Sequence, residues 1–215
     1  MKKEHAPLAS VLNSQNLIEA GCDEAGRGCL AGSVYAAAVI FPPDYQNPRL
    51  NDSKQLSAHQ RNELRMQIEN DALAWAVGVV TAEEIDKINI LRASILAMHR
   101  ALDQLGVRPE YIIVDGNRFI PYHNLPHTTV VKGDGKFLSI AAASILAKTY
   151  RDDYMRQMHE QYPYYAWDRN AGYPTKAHRE AIAKHGLSPI HRKTFNLLGN
   201  DGQLSLFDEL RYGEE

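Results

Sequence analysis

The chain has 215 residues, 44% of them hydrophobic, and a formal net charge of −2 at pH 7. That length suits one domain, or one domain with an appendage, and the apolar content is ample for a core, while the net charge by itself does not announce a nucleic-acid binder. No stretch approaches the roughly 20 apolar residues of a membrane span, Met1 to His5 leads into no apolar signal-peptide run, and Cys22 and Cys29 are too few for a zinc site, so a cytoplasmic protein with two reduced, partly buried thiols is expected.

In chain order, strands are predicted near residues 17–23, 33–41, 74–80, 111–115 and 127–131. Helices are predicted near 57–71, 82–86, 89–105, 136–158 and 175–185. Three strands in succession followed by helix-separated strands suggest a mixed α/β sheet whose first part is antiparallel.

The first strand runs into Asp23-Glu24-Ala25-Gly26-Arg27-Gly28. An acidic pair supplies the oxygen ligands that hard cations such as Mg²⁺ require. The glycines let backbone approach a ligand, and the Arg27 guanidinium suits phosphate. Together these features point to metal-dependent phosphodiester chemistry, although an acidic pair before a turn is often only solvated. Gly26, Gly28 and Gly32 also make a loose dinucleotide fingerprint. That reading needs a helix after the loop, whereas a strand-like segment follows. In a regular strand Asp23 and Glu24 point to opposite faces, so both reach one cluster only if the strand ends or twists at Glu24.

The buried run Tyr111-Ile112-Ile113-Val114 ends in Asp115-Gly116-Asn117, which places Asp115 at the carboxyl end of a strand, where ligands gather in open α/β sheets. The stretch from Phe137 to Met158 is Ala-rich and free of Gly and Pro, a helix buried in its first half. Read alone, its Arg151, Asp152, Asp153 and Arg156 would form exposed ion pairs.

Several blocks occur in a telling order: Asp23 to Gly28, Asp52-Ser53-Lys54, Val114-Asp115-Gly116, Lys132-Gly133-Asp134, Ser139 to Lys148, and Gly172-Tyr173-Pro174-Thr175. Over roughly residues 18 to 198 the chain resembles bacterial type 2 ribonuclease H, the ribonuclease HII family. The resemblance implies a ribonuclease H-like mixed five-stranded sheet flanked by helices, with a helical C-terminal appendage. It implies a catalytic domain over 1–159, a substrate-binding appendage over 160–199 and a tail over 200–215. It assigns the metal-site and catalytic carboxylates to Asp23, Glu24, Asp115 and Asp152, the last preferred to Asp153 because it directly follows Arg151. It assigns reading of the ribose 2′-hydroxyl to Gly26, Arg27 and Gly28, a phosphate contact to Lys54, and a stacking ring to Tyr173.

The activity so implied is an endoribonuclease acting on RNA/DNA hybrids and 5′ of single ribonucleotides in duplex DNA, leaving 3′-hydroxyl and 5′-phosphate ends, in ribonucleotide removal and primer clearance. Two Mg²⁺ or Mn²⁺ ions roughly 4 Å apart can clamp the attacking and leaving oxygens of such a displacement. A related nuclease of the same fold, or a non-catalytic binding module, are the alternatives. The Gly-Arg-Gly turn and Tyr173 argue against the first, and the four carboxylates against the second.

Charge is unevenly spread. Arg169, Lys176, Arg179, Lys184, Arg192 and Lys193 stand against Glu180 alone, with Tyr164, Tyr165, Trp167 and Tyr173 nearby, a pattern suited to a phosphate backbone. His178, His185 and His191 read as surface or phosphate-contact residues rather than metal ligands. The acidic tail contains Gln203-Leu204-Ser205-Leu206-Phe207, which resembles the bacterial sliding-clamp-binding motif, with Gln203, Leu204, Leu206 and Phe207 as anchors. Packing of those anchors back onto the domain is the other expectation for the tail. A monomer is expected.

Overall fold

The computed structural model describes residues 7–12, 17–50 and 56–199. Lys54 and the anchors Gln203, Leu204, Leu206 and Phe207 lie outside the described residues.

Five strands form one sheet in the order β3-β2-β1-β4-β5. They are β1 (Glu19–Ala25), β2 (Val34–Ile40), β3 (Ala74–Val80), β4 (Tyr111–Asp115) and β5 (His127–Val130). The pairs β1–β2 and β2–β3 are antiparallel, while β1–β4 and β4–β5 are parallel. The expected mixed sheet is therefore present, with its antiparallel part first. The helices are α1 (Ala58–Asp71), α2 (Ala82–Ile88), α3 (Ile90–Asp103), α4 (Leu138–Gln161), α5 (Trp167–Asn170) and α6 (Lys176–His185). The short α5 is the one helix the sequence pattern did not suggest; four residues carry too little periodicity to read. None of the helices is long and apolar enough to cross a membrane, among the described residues.

Helix starts follow local chemistry. Ser57 and Gln60 close a reciprocal capping box on α1, as Thr81 and Glu84 do on α2. One face of the sheet is covered by α3, whose Ala93, Ala97, Met98 and Ala101 join Ala20, Cys22, Ala36 and Ala38 in a core. The other face is covered by α4 and α1, where Ala142, Ala143, Ile145 and Leu146 meet Ala37, Val39, Leu64 and Ile68. Each fully buried Leu or Ile contributes roughly 1.5–3 kcal/mol. The alanines in β2 and α4 let helix and sheet come close. Gly21 takes this furthest: a Cβ there would lie 2.6 Å from the Ile140 backbone nitrogen. The start of α4 thus sits directly over β1, and the helix then runs past that strand's carboxyl end.

A third cluster joins Leu30 and Ala31 after β1 to Met155 of α4 and to Tyr165, Trp167, Ile182 and Leu197. Residues beyond α4 are fastened by this cluster against the turn that follows β1.

Candidate active site

The register Cys22↔Val114 sets Asp23 level with Asp115 across the parallel β1–β4 pair. Glu24 follows, and β1 continues in regular pairing through Ala25↔Tyr35. The strand therefore does not end at Glu24; it runs one residue further before Gly26, at φ 96°, turns the chain. A residue with a Cβ would be strained at that φ. The two carboxylates can still meet because the cavity lies where the sheet stops. That cavity, about 270 Å³, is lined by Asp23, Glu24, Gly26, Arg27, Gly28, Asp115, Ser144, Lys148 and Tyr173.

Asp152 lines the adjoining cavity instead, which shares Lys148 and Tyr173 with the first. Its carboxylate is tied to Lys148 Nζ at 3.3 Å. The structure thus brings Asp23, Glu24 and Asp115 together with the Gly-Arg-Gly turn and Tyr173, and keeps Asp152 one cavity away. Asp153 bonds to Arg65 Nη1 at 2.6 Å and to Arg156.

Electrostatically the acidic cluster is under tension. Burial pushes the Asp23 carboxyl well above the usual carboxylate range, and the charges of Glu24 and Asp115 push it further. The Ser144 hydroxyl and the Glu24 N–H, which donates to Asp23 Oδ1 at 2.7 Å, pull the other way. Burial also raises Glu24, opposed by Arg27, whose Nη1 donates to Glu24 Oε1 at 3.0 Å. Arg27, expected to face phosphate, pairs here with the Glu24 carboxylate. Asp115 Oδ1 accepts the Gly133 N–H at 2.7 Å, which explains why Lys132-Gly133-Asp134 sits beside this strand end.

Ser144 and Lys148 fall within the Ser139 to Lys148 block but were given no role from the sequence, although a signal exists. Ser144, Lys148 and Asp152 recur every four residues along α4, so they share one helix face.

Two arginines expected on the surface are instead structural. Arg151 is 1% exposed and donates to the carbonyls of Ser33, Ala171 and Ala31 at 2.8–3.1 Å. Arg192 is 0% exposed and donates to the carbonyls of Gly26 at 2.7 Å, Arg27 at 3.0 Å and Gly32 at 2.8 Å. Burial lowers Arg192 to about 10. By occupying the carbonyls of the Gly-Arg-Gly turn from inside, Arg192 fixes that turn's conformation. The basic stretch is correspondingly less available for phosphate than its composition suggests, since Arg179 also donates to the carbonyls of Asn196 and Leu197.

His178 and His191 are likewise not surface residues: they are 0% and 1% exposed, packed against Tyr165 and Trp167. Cys22, within β1, and Cys29, in the segment after it, are free and fully rather than partly buried.

A mixed sheet in this strand order, with carboxylates at the adjoining ends of β1 and β4, defines a nuclease of the ribonuclease H-like fold. The family model described as ribonuclease HII matches residues 20–198. The chain belongs to the ribonuclease HII family and is a ribonuclease H. It is 72% identical to the ribonuclease HII of Bacteroides thetaiotaomicron over 193 residues, covering 90% of this chain and 96% of that protein. Its structure resembles that of the ribonuclease H2 from Pyrococcus horikoshii, with a TM-score of 0.72 at 25% identity, over 90% of this chain and 99% of the other. It also resembles the Archaeoglobus fulgidus ribonuclease HII solved in complex with PCNA, with a TM-score of 0.68 at 26% identity, over 83% of this chain and 95% of the other.

Proposed function

We propose that this chain cleaves the RNA strand of RNA/DNA hybrids and cuts 5′ of single ribonucleotides embedded in duplex DNA, leaving 3′-hydroxyl and 5′-phosphate ends. The observation that carries the reading is the convergence of Asp23, Glu24 and Asp115 with the Gly26–Gly28 turn and Tyr173 on one cavity, in a chain of this family.

The donor set fits Mg²⁺ or Mn²⁺. All the oxygen donors are hard, and crowding three carboxylates is costly unless a cation shares the space. Among the described residues no three or more His, Cys, Asp or Glu side chains are placed together so as to hold a metal ion. Mg²⁺ does not ask for such a group, because it keeps several waters and uses one or two carboxylates. Asp23, Glu24 and Asp115 would hold the ions, with Asp152 completing the set once Lys148 releases it. Bound divalent cations would supply charge neutralisation on the attacking and leaving oxygens of the displacement.

The remaining roles belong to the chain. Ser144 and the Glu24 N–H orient the Asp23 carboxylate. Backbone groups of Gly26, Arg27 and Gly28 read the 2′-hydroxyl, the feature that separates RNA from DNA. Tyr173, 44% exposed, stacks on the nucleotide at the junction. Lys54 contacts phosphate, and residues 160–199 serve as the substrate-binding appendage.

Cleavage of a duplex carrying one ribonucleotide, with Mg²⁺ or with EDTA, tests this reading. Expected is a single Mg²⁺-dependent cut 5′ of the ribonucleotide whose product ends are 3′-hydroxyl and 5′-phosphate. Cutting that is independent of divalent cation, or confined to sites without a ribonucleotide, would overturn it.

The tail is proposed to dock on the bacterial sliding clamp through Gln203, Leu204, Leu206 and Phe207, which would raise the enzyme's effective concentration at replicated DNA. A 200–215 peptide should bind the clamp in the micromolar range typical of short docking peptides, and the double change Leu206→Ala and Phe207→Ala should abolish binding while sparing cleavage of short oligonucleotides. Undiminished binding by the double variant refutes the tether.

A further inference from the structure

Beyond the carboxylate cavity lies a buried pair of histidines, His178 and His191, to which the reaction assigns no role. His178 lies in α6, three residues after the helix's N-cap Thr175. Its Nδ1 is 2.9 Å from the carbonyl oxygen of Tyr173. A carbonyl only accepts, so Nδ1 carries the proton. In a neutral ring the other nitrogen must then accept, and His178 Nε2 receives the Trp167 indole N–H at 3.0 Å.

His191 continues the logic. Its Nδ1 accepts the Ser188 backbone N–H at 2.9 Å. Its proton therefore sits on Nε2, which faces His178 Nε2 at 3.2 Å. The Ser188 hydroxyl also lies 2.8 Å from His191 Nδ1, and the single Nε2 lone pair of His178 is shared between the Trp167 and His191 N–H groups; the chain of donors runs from Ser188 to His191, from His191 to His178, and from His178 to the carbonyl of Tyr173. Burial holds both rings below the ordinary histidine range, which favours the neutral forms this arrangement needs.

The relay ends on the residue proposed to touch substrate. Around Tyr173 the backbone is held on several sides. Its own N–H donates to Asn170 O at 2.8 Å, its carbonyl also accepts from Thr175 N at 2.8 Å, and the preceding Gly172 carbonyl accepts from Leu30 N at 2.8 Å. The ring itself projects into both cavities. A side chain's direction is set by its backbone, so what holds that carbonyl also aims the ring.

We infer that His178, backed by His191, is a positioning residue: it fixes the Tyr173 backbone so that the ring meets the ribonucleotide at the junction in its stacking orientation. The inference rests on the proposed role of Tyr173, so the test separates the two. Steady-state cleavage of a duplex with one ribonucleotide is measured for His178→Leu, His178→Asn, Tyr173→Ala and the double variants, with thermal melts to confirm folding. His178→Leu removes the donor; His178→Asn restores an N–H near the position of Nδ1.

Stacking contacts of this kind are worth about ten- to hundredfold. His178→Leu is expected to lose about tenfold in kcat/KM within that range, His178→Asn to recover most of it, and neither to lower activity further once Tyr173 is Ala. If His178→Leu does not fold, His191→Leu, which cuts the relay one step back, carries the same cycle. Losses that multiply in the Tyr173→Ala background would overturn the positioning role and leave the Tyr173 assignment standing. A Tyr173→Ala enzyme with undiminished activity would overturn both.

Discussion

Replacing Asp115 by Asn should move stability and activity in opposite directions. Asp115 Oδ1 accepts the Gly133 N–H at 2.7 Å, and an Asn Oδ1 keeps that bond. What the change removes is a negative charge that acts on both Asp23 and Glu24. Two like charges about 6 Å apart at an effective dielectric near 20 repel by roughly 3 kcal/mol. Water at this partly open cavity screens some of that, which leaves a relief of about 1–2 kcal/mol in protein stripped of divalent ions. For a chain of this size each kcal/mol shifts Tm by about 2–4 °C, so the variant should melt about 2–8 °C higher in EDTA. In the proposed reaction the same charge helps hold a divalent cation. Losing a cation ligand forfeits several kcal/mol of transition-state stabilisation, or about a thousandfold in kcat. Added Mg²⁺ should raise the melting temperature of the wild type more than that of the variant, because a ligand stabilises the form that binds it. Scanning calorimetry with and without Mg²⁺, alongside single-turnover cleavage, reads all three quantities. A variant that cuts at nearly the wild-type rate, or melts below the wild type in EDTA, refutes the assignment of a repulsive cation-binding cluster.

Other expectations follow from the buried supports. Arg192→Met leaves the carbonyls of Gly26, Arg27 and Gly32 without their donors and should cost about 3–5 kcal/mol in urea unfolding; a loss under about 1 kcal/mol would mean water replaces the guanidinium. Gly26→Ala adds a Cβ at φ 96° that collides with the Arg151 side chain, so about 1–3 kcal/mol of backbone strain should appear as a lower Tm, and an unchanged Tm would show the turn to be pliable. His191 is neutral in the fold, pushed from 6.5 down to about 4 by burial and by His178. The unfolded chain therefore binds the proton first as pH falls, so this contribution to stability is complete above pH 6.5 and is lost between there and about pH 4. Its size is about 3 kcal/mol, and urea titrations at descending pH should show a shallower decline for His191→Gln than for the wild type; equal slopes would place the acid-sensitive group elsewhere.

Much of the architecture was legible because it is written locally. The runs Val34–Ile40 and Tyr111–Val114 are β-branched or apolar and bounded by turn residues, and α4 combines an uninterrupted helical composition with an apolar first half. The acidic positions could be read because strand ends are where carboxylates stay reachable. Arg151, Arg192, His178 and His191 were not legible. In sequence they belong to a charged, exposed-looking stretch. Their burial is decided by carbonyls and rings that come, Ala171 beside Arg151 apart, from 100 or more residues away for the arginines, and from α5, α6 and the segment after it for the histidines. The opposite inference failed for the same reason: counting cations over 169–193 could not tell which guanidinium groups were already spent on the backbone. Ser144 and Lys148 were readable in principle from their four-residue spacing, but that periodicity is shared by every buried position on α4.

The span between Arg192 and the turn it holds has a consequence for how the molecule is made. Arg192 reaches back 166 residues to Gly26 and 160 to Gly32. A ribosome working at about 5–20 residues per second needs about 8–33 s to cover the longer distance. During that interval β1 and β2 can pair and Arg151 can reach the carbonyls of Ala31 and Ser33, but the carbonyls of Gly26, Arg27 and Gly32 still lack the Arg192 guanidinium. The cutting edge of the nuclease is therefore among the last features to take shape, and a chain truncated before Arg192 should fold its sheet while remaining unable to distinguish RNA from DNA.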